Sequence, residues 1–336
     1  MTTPPASASP DTRPGTPRDT PGDTPGENRL LEHIEQRTRA LFATRPDVPV
    51  GPGDDCAVIR TPAGDDLLIT VDQLVAGVHF DPATTSPDQI ARKAVARSVS
   101  DIAAMGGSCW LATATALLPQ GYADAQELFD RVHAHAEAFG CPVVGGDIAS
   151  GPSSPLTLTV TVLGRPHPAR GVVRRSGAKP GDRVYVTGRL GGSLASGRHL
   201  RFEPRLHEAR WLCDTLGDRL HAMIDLSDGL GLDADRLARA SGADLELDAA
   251  VIPQHADCPG WRAAMSDGED YELLFTCDPD ATLPDRCPGP DADTPGPSLR
   301  WIGRVLEPRD TRAPHARVVD EKGEQRPVRH MGFEHA

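Results

Sequence analysis

The stretch Gly51-Pro-Gly-Asp-Asp-Cys56 places two adjacent carboxylates on a glycine-flanked turn, between a candidate helix and a candidate strand. Alone, such a pair of aspartates is more often a turn or a cap than a metal site. It gains weight because aspartates recur at similar junctions downstream, namely Asp72, Asp101, Asp147, Asp225 and Asp228. Mg²⁺ takes oxygen ligands, usually carboxylates together with substrate phosphates. We hypothesise that these acids converge on divalent metal ions that hold a nucleotide.

Length and composition limit the classes of protein to consider. The 336 residues suffice for two domains of ordinary size. A net charge of -13 argues against a nucleic-acid partner, since binding to a phosphate backbone requires a basic face. The seven scattered cysteines argue against a zinc cluster or a disulfide scaffold and suit a reducing cytoplasm. No apolar run approaches the ~18 residues of a membrane span, so we expect a soluble, cytoplasmic protein.

Apolar periodicity predicts alternating helices and strands after a disordered, Pro- and Thr-rich tail at residues 1–27. The predicted helices run from Asn28, as a cap, to before Pro46, over 87–106, over 124–139, and from a cap at Ser227 or Asp228 to Gly242. The predicted strands are 67–72, ending in an acid, 110–118, 142–147, running into a glycine turn, 156–162, 184–187, 245–247 and 271–276. This alternation indicates an α/β or α+β fold in which helices cover the sheets.

A segment rich in Pro, Gly and basic residues, 165–183, predicts a domain boundary. We therefore expect a first domain over 28–166 and a second over 167–336, with a flexible loop at 278–298. Glycines within 188–197 are expected to leave backbone N–H groups free to approach phosphate oxygens. Neither a Walker A pattern nor the kinase H-R-D and D-F-G set occurs, which disfavours both common ATP-binding folds.

Seven motifs, taken together and in this order, resemble the thiamine-monophosphate kinase family of the aminoimidazole ribonucleotide synthetase-like superfamily. They cover the chain from about residue 28 to its end. The motifs are Gly53-Asp-Asp-Cys-Ala-Val58, Thr70-Val-Asp-Gln-Leu-Val-Ala-Gly-Val-His-Phe80, Ser100-Asp-Ile-Ala-Ala-Met-Gly106, Gly145-Gly-Asp147, Arg175-Ser-Gly-Ala-Lys-Pro-Gly-Asp182, Ile224-Asp-Leu-Ser-Asp-Gly229 and Gly268-Glu-Asp-Tyr-Glu-Leu273.

The resemblance implies ATP-dependent, direct in-line transfer of a phosphoryl group onto thiamine monophosphate, without a phosphoenzyme. It also implies a two-domain fold whose N-terminal domain forms a sheet or barrel across a homodimer, with a C-terminal α/β sandwich. By resemblance, several Mg²⁺ ions would be held by Asp55, Thr70, Val71, Asp72, Asp101, Asp147, Asp225 and Asp228, with Asp54 a weaker candidate. ATP would contact Gly146, Asp147, Arg175 and Ser227, and the thiamine substrate His79, Glu269 and His330.

Two positions depart from the family pattern. Val71 stands where relatives often have Thr, so it could contribute only its backbone carbonyl. His330 stands where the family usually has a large aromatic residue that packs on the substrate ring, and Phe333 lies nearby as an alternative. No side chain beyond those that position metal and phosphate is expected to be catalytic, because a phosphate oxygen is already a competent nucleophile.

Two alternatives remain open at this point. One is another ATP-dependent enzyme of the superfamily. A selenophosphate synthetase should carry a reactive Cys or selenocysteine beside Lys in a glycine-rich N-terminal segment, and the hydrogenase maturation protein should end in Cys. This chain has no such segment and ends Glu334-His-Ala336. The other is a non-catalytic paralogue that binds nucleotide or metal without forming ADP. The retained acids weigh against it.

Overall fold

The computed structural model describes residues 27–291, 293–310 and 315–332, which form two sheets flanked by helices. The tail, except Glu27, and Phe333 lie outside the described residues. The elements of the first half are α1 (Glu27–Phe42), β1 (Ala57–Arg60), β2 (Asp66–Val75), α2 (Pro87–Ala104), β3 (Ser108–Pro119), α3 (Ala125–Ala138), β4 (Val143–Gly151) and β5 (Thr157–Arg165). Those of the second are β6 (Arg183–Thr187), α4 (Ser193–Ser196), α5 (Leu206–Leu216), β7 (Leu220–Asp225), α6 (Leu230–Ser241), β8 (Asp244–Asp248), α7 (Trp261–Ser266), β9 (Leu273–Cys277), β10 (Leu299–Leu306), β11 (Ala316–Val319) and β12 (Gln325–Pro327). The mixed α/β class is confirmed.

The first sheet has the strand order β1-β2-β5-β3-β4, in which only β3 and β4 pair in parallel. Alternation sets its two faces, because successive side chains of a strand point to opposite sides. Leu158, Val160 and Val162 of β5 are buried, whereas the threonines between them are only half-buried. The buried side chains belong to the same hydrophobic core as Val95 and Val99 of α2.

The second sheet has the strand order β12-β11-β8-β10-β6-β9-β7, in which only β8 and β11 pair in parallel. Strands β6, β7 and β9 are almost continuously apolar and buried, as expected of strands covered on both faces. Helices α6 and α7 share one core cluster with this sheet, and α5 belongs to another.

Helix α2 joins the two halves. Its N-terminus is capped by Ser86, whose hydroxyl accepts from the backbone N–H of Gln89 in a reciprocal capping box. One face, with Ile90, Val95 and Val99, packs in the core of the first sheet. Its C-terminal residues Ala103 and Ala104 instead belong to the core formed with α5, β7 and β9. A helix buried on two sides can therefore deliver side chains to a site between the halves.

Several boundary predictions were wrong. Asp72 lies inside β2, and Gly145, Gly146 and Asp147 lie inside β4 instead of on a turn, because β4 continues its pairing with β3 through the glycines. Helix α1 begins at Glu27, so Asn28 is not its cap. Helix α6 is preceded by Gly229 as its N-cap, and neither Ser227 nor Asp228 caps it.

The predicted strand at 271–276 begins only at Leu273, because Tyr271 has a φ of 51° that a strand does not accommodate. Gly242 ends α6 as predicted, in the left-handed conformation. The described part of 278–298 contains no helix or strand before Leu299, yet Cys287 within it is buried in the core. The flexibility of this loop stays a prediction, as does the division into two domains.

Candidate metal and phosphate site

Three of the predicted metal ligands meet at the junction of the two halves. Asp55 lies on the turn before β1, Asp101 in the last turn of α2, and Asp225 at the end of β7. One carboxylate oxygen from each lies within 4.8 Å of the other two. We call these three residues the acidic cluster. Three segments far apart in sequence thus supply one oxygen-rich site.

Neighbouring side chains fix the orientation of each carboxylate. The hydroxyl of Thr70 donates to Asp101 Oδ2. Ser100 Oγ donates to Asp225 Oδ2 at 2.6 Å, which ties α2 to β7. Asp101 and Asp225 are thereby held from outside the cluster. Such support is what a metal site needs if its ligands are to be in place before the ion arrives.

Asp55 has one paired and one unpaired oxygen. Arg175 NH2 donates to Oδ1 at 2.7 Å. The other oxygen, Oδ2, is buried and has no hydrogen-bond partner among the described residues. An unpaired buried carboxylate oxygen is costly. The orphaned oxygen in an all-oxygen donor set fits a hard cation such as Mg²⁺.

The electrostatics of the cluster favour the same conclusion. Burial and the neighbouring carboxylates raise the pKa of Asp101 well above its usual range, and the same causes raise the pKa of Asp225. Burial, with a further contribution from Asp55, raises the pKa of Asp54 to about 7. The fold thus gathers carboxylates that repel one another, and a bound cation would relieve that repulsion.

Arg175, predicted to contact ATP, lies against this cluster. Its backbone N–H donates to both oxygens of Asp54, at 3.2 and 3.3 Å, while its guanidinium holds Asp55. Asp54 therefore anchors the backbone that carries Arg175. Asp54 fits this supporting role better than the role of a ligand. Whether Arg175 contacts ATP stays a prediction.

Two other predicted ligands near the cluster have partners within the protein. Asp72 accepts from Ser98 Oγ at 3.2 Å and forms an ion pair with Arg97 at 3.4 Å. Asp228 forms an ion pair with Arg236, which also holds Asp233 at 2.8 Å. Neither carboxylate belongs to the acidic cluster.

Asp147 lies farther away. It is exposed on the edge strand β4, where it pairs with Thr115, and the same row continues through Thr159 to Gln73 of β2. Three strand spacings, about 14 Å, separate the backbones at the two ends of this row. Val71 lies on β2 next to Asp72 with an exposed side chain. The structure therefore does not bring Asp147 to the acidic cluster.

Among the predicted ATP contacts, Gly146 has a structural reason to be glycine. A Cβ at this position would overlap the carbonyl oxygen of Ala114 on β3, whereas a Cβ on Gly145 would meet nothing within 4 Å. Ser227 is half-buried, and its carbonyl accepts from the backbone N–H of Glu269 at 2.7 Å.

The expectation that the glycines of 188–197 offer free N–H groups was wrong. Gly188 N–H donates to the carbonyl of Ser298, Gly191 N–H to Asp270, and Gly192 N–H to Asp267 Oδ2. Carboxylates of the 267–270 loop take the donors of Gly191 and Gly192, and a backbone carbonyl takes that of Gly188, so these N–H groups are bound within the protein.

Two of the predicted substrate contacts meet around a residue that the sequence did not indicate. Lys93 of α2 contacts Glu269 Oε2 at 2.6 Å, donates to the carbonyl of His79 at 2.8 Å, and lies 2.8 Å from His199 Nδ1. We call Lys93, His79, His199 and Glu269 the lysine cluster. The third predicted contact, His330, is exposed, and its Nε2 accepts from Arg329 Nε at 3.1 Å.

Sequence reasoning missed Lys93, Arg97, Ser98 and Ser100, all on α2. A usable signal was present in the helix itself. Alanines and other small residues cover most of its circumference, and a helix apolar on more than one side is a buried one. Polar residues in such a helix need partners across the interface.

Comparisons with known proteins agree with this architecture. Residues 53–165 match the family model described as AIR synthase related protein, N-terminal domain. The chain is 39% identical over 272 residues to the thiamine-monophosphate kinase of Rhodopirellula baltica, covering 76% of this chain and 83% of that protein. It is 37% identical to the thiamine-monophosphate kinase of Salmonella typhimurium, covering 70% and 78%.

Solved structures give the same relationship. The structure of AaThiL complexed with AMPPCP and TMP superposes with a TM-score of 0.74 at 27% sequence identity, covering 93% of this chain and 97% of that one. No helix among the described residues is long and apolar enough to cross a membrane.

Proposed function

Because this chain belongs to the thiamine-monophosphate kinase family, we propose that it transfers the γ-phosphoryl group of ATP to thiamine monophosphate, giving thiamine diphosphate and ADP. The observation in the structure that supports this reaction most directly is the acidic cluster, in which carboxylates from both halves converge. The similar AaThiL structure was solved with AMPPCP and TMP. An ATP analogue and a thiamine phosphate therefore occur together on this fold.

Asp55, Asp101 and Asp225 would hold Mg²⁺. Thr70, which donates to Asp101, and Asp72, two residues further along β2, would join them. When bound at these residues, Mg²⁺ would supply positive charge to balance the transferred phosphoryl group and the departing ADP. We propose further that several ions bind, and that Val71, Asp147 and Asp228 contribute ligands to them. Asp147 would have to reach the ATP phosphates from another direction, since its strand lies away from the cluster.

The protein's own contribution to the mechanism is positioning. Ser100 and Thr70 orient two carboxylates, and Arg175 supplies a fixed positive charge beside Asp55. Burial of the site between two halves limits access of water, which strengthens every charge interaction there. No described side chain has to act as a general base, because the attacking phosphate oxygen is already ionised at neutral pH.

The assay that tests the reaction combines ATP, Mg²⁺ and thiamine monophosphate and measures thiamine diphosphate by chromatography. We expect product with the monophosphate, none with free thiamine, and none after chelation by EDTA. Hydrolysis of ATP without thiamine diphosphate, or product formed equally well in EDTA, would overturn the proposal.

We also propose that the first sheet pairs with its counterpart in a homodimer. Its face opposite α2 carries exposed apolar side chains, with Val71 60% and Leu117 37% exposed. Rows of half-buried threonines lie between them. A second copy of the sheet would cover this face, and closure of the two sheets into a barrel would be one way to do so.

Light scattering after gel filtration tests the dimer. Leu117→Lys should give the monomer mass, while Val251→Lys, an equally exposed apolar residue on the second half, should not change the mass. A wild-type monomer would contradict the proposal.

We also propose a cytoplasmic location for the protein, since all seven cysteines are free and suit a reducing compartment.

A further inference from the structure

Lys93 is an unusual residue to find in the middle of a packed helix. Its side chain is 0% exposed, and its ammonium group contacts three segments that are distant in sequence. They are the loop after β2, through the carbonyl of His79, the turn after α4, through His199, and the loop before β9, through Glu269. An ammonium group has three N–H donors. One donates to the carbonyl of His79, a second can donate to His199 Nδ1, and the ammonium charge pairs with Glu269 Oε2.

The ionisation states of the cluster are consistent with this arrangement. Burial, together with the charge of Lys93, lowers the pKa of His199 to about 4, so its Nδ1 can accept at neutral pH. Burial lowers the pKa of Lys93 to about 8, with Glu269 opposing the shift, so the ammonium form still predominates at neutral pH. If Lys93 only filled space, an apolar residue could replace its buried charge at little cost in stability. The buried charge therefore indicates a further role.

Glu269 depends on Lys93 for the direction of its side chain. Its backbone has a φ of 58°, and it is held by a hydrogen bond from its N–H to the carbonyl of Ser227 and by Ser193 Oγ donating to its own carbonyl at 2.7 Å. The backbone is therefore fixed by other residues. The carboxylate, 15% exposed, is directed by the ion pair with Lys93.

We infer that Lys93 is a positioning residue for thiamine monophosphate, which acts by directing the Glu269 carboxylate and by setting its spacing from the His79 segment. This inference rests on the proposed function. Glu269 and His79 are the predicted contacts of the thiamine moiety, and they lie on different halves of the chain. Because one ammonium group contacts both segments, it holds them at a fixed separation. The carboxylate so directed suits the amine-bearing, cationic part of the substrate.

The role predicts a selective kinetic effect. Lys93→Gln keeps a polar side chain of similar length but loses the charge and one of the three N–H donors. We expect the Kd and KM for thiamine monophosphate to rise roughly 10- to 100-fold, the range for loss of a hydrogen bond to a charged group. The KM for ATP and kcat should stay within about threefold, because uniform binding of one substrate is lost.

Arg92→Gln is the matched control. Arg92 precedes Lys93 on α2 and also spans the two halves, donating to the carbonyl of Phe202 at 2.5 Å and to Glu203 at 2.6 Å, without contacting Glu269. Its KM for thiamine monophosphate should not change. A double-mutant cycle adds the second readout: in a Glu269→Gln background, Lys93→Gln should raise the KM much less than in the wild type.

Each outcome decides the inference. A folded Lys93→Gln protein with wild-type affinity for thiamine monophosphate overturns it, as does an equal rise in both KM values or an equal effect of Arg92→Gln. If Lys93→Gln does not fold, His199→Leu replaces it, since it removes one partner of the ammonium group, 2.8 Å from Lys93 and 3.9 Å from Glu269, and keeps both Lys93 and Glu269. An unchanged KM for thiamine monophosphate in that variant overturns the inference. A wild type that neither binds nor phosphorylates thiamine monophosphate overturns the proposed function as well.

Discussion

The acidic cluster and the lysine cluster both join the two halves of the chain through helix α2, but their charges are balanced differently. In the acidic cluster, three carboxylates converge and the Arg175 guanidinium contacts only Asp55 among them. In the lysine cluster, the ammonium of Lys93 and the carboxylate of Glu269 balance each other at 2.6 Å. The first cluster has surplus negative charge and the second has none.

The difference shows how each cluster can take part in binding. Surplus buried charge is unfavourable in the protein alone, so the acidic cluster gains when a cation enters. A balanced pair is complete in the protein alone, so the lysine cluster is already arranged before a substrate arrives. We therefore assign the ion and phosphate to the first cluster and the orientation of the other substrate to the second.

The largest expected effect comes from removing one acid. Asp101→Asn should lower kcat by about 100-fold or more, because it removes a metal ligand while keeping the shape and the acceptor for Thr70. Folding the chain raises the pKa of Asp101, so its ionised form costs stability at neutral pH. The variant should therefore be more stable than the wild type without Mg²⁺.

Asp88→Asn is the control for that experiment, since Asp88 lies on the same helix but is only half-buried, away from the acidic cluster, and is paired with His135. Its turnover should equal that of the wild type. A wild-type rate for Asp101→Asn at limiting Mg²⁺ would contradict the ligand assignment.

A second prediction compares how added Mg²⁺ changes the stability of variants in the two clusters. Mg²⁺ at a hundred times its Kd should raise the free energy of unfolding of the wild type by about 2.7 kcal/mol, and EDTA should reverse the increase. Asp225→Asn should lose most of this increment, and Lys93→Gln should keep it, because the lysine cluster contributes no ligand. Equal increments in all three proteins, measured by urea unfolding, would show that the ion binds elsewhere.

The smallest effect concerns acid stability. His199 has a pKa of about 4 in the folded protein, lowered from 6.5, and it faces Lys93 at 2.8 Å and Glu269 at 3.9 Å. Between these two pH values the unfolded chain binds a proton that the folded chain does not. The free energy of unfolding therefore gains a contribution from His199 as pH rises from about 4 to 6.5.

His199→Asn should make the dependence of stability on pH shallower over that interval, and it should not change the dependence above pH 7. Denaturant titrations of both proteins across the interval measure the difference. A variant with the wild-type slope would show that His199 is not held in its neutral form.

Some of the site was predictable from particular residues. The recurrence of aspartates beside Gly, Ser or Thr indicated an oxygen-rich metal site, and the order of the motifs indicated the family. Three of those aspartates do meet, although nothing local to Asp55 or Asp225 shows that they are neighbours. Local pattern could not locate Asp147 either, since the glycines before it look like a turn but pair within β4.

Short-range periodicity and motif order were enough to predict the alternation of helices and strands, the family, and the residue types available for binding. Which acids converge, which N–H groups of the glycine segment are already occupied, and where Lys93 lies depend on packing between segments that are distant in the chain. The small residues of α2 indicate that much of the helix surface is covered, but not which segments contact Lys93. Lys93 is covered only when the second half packs on α2, and a contact between segments more than 100 residues apart leaves no local trace in the chain.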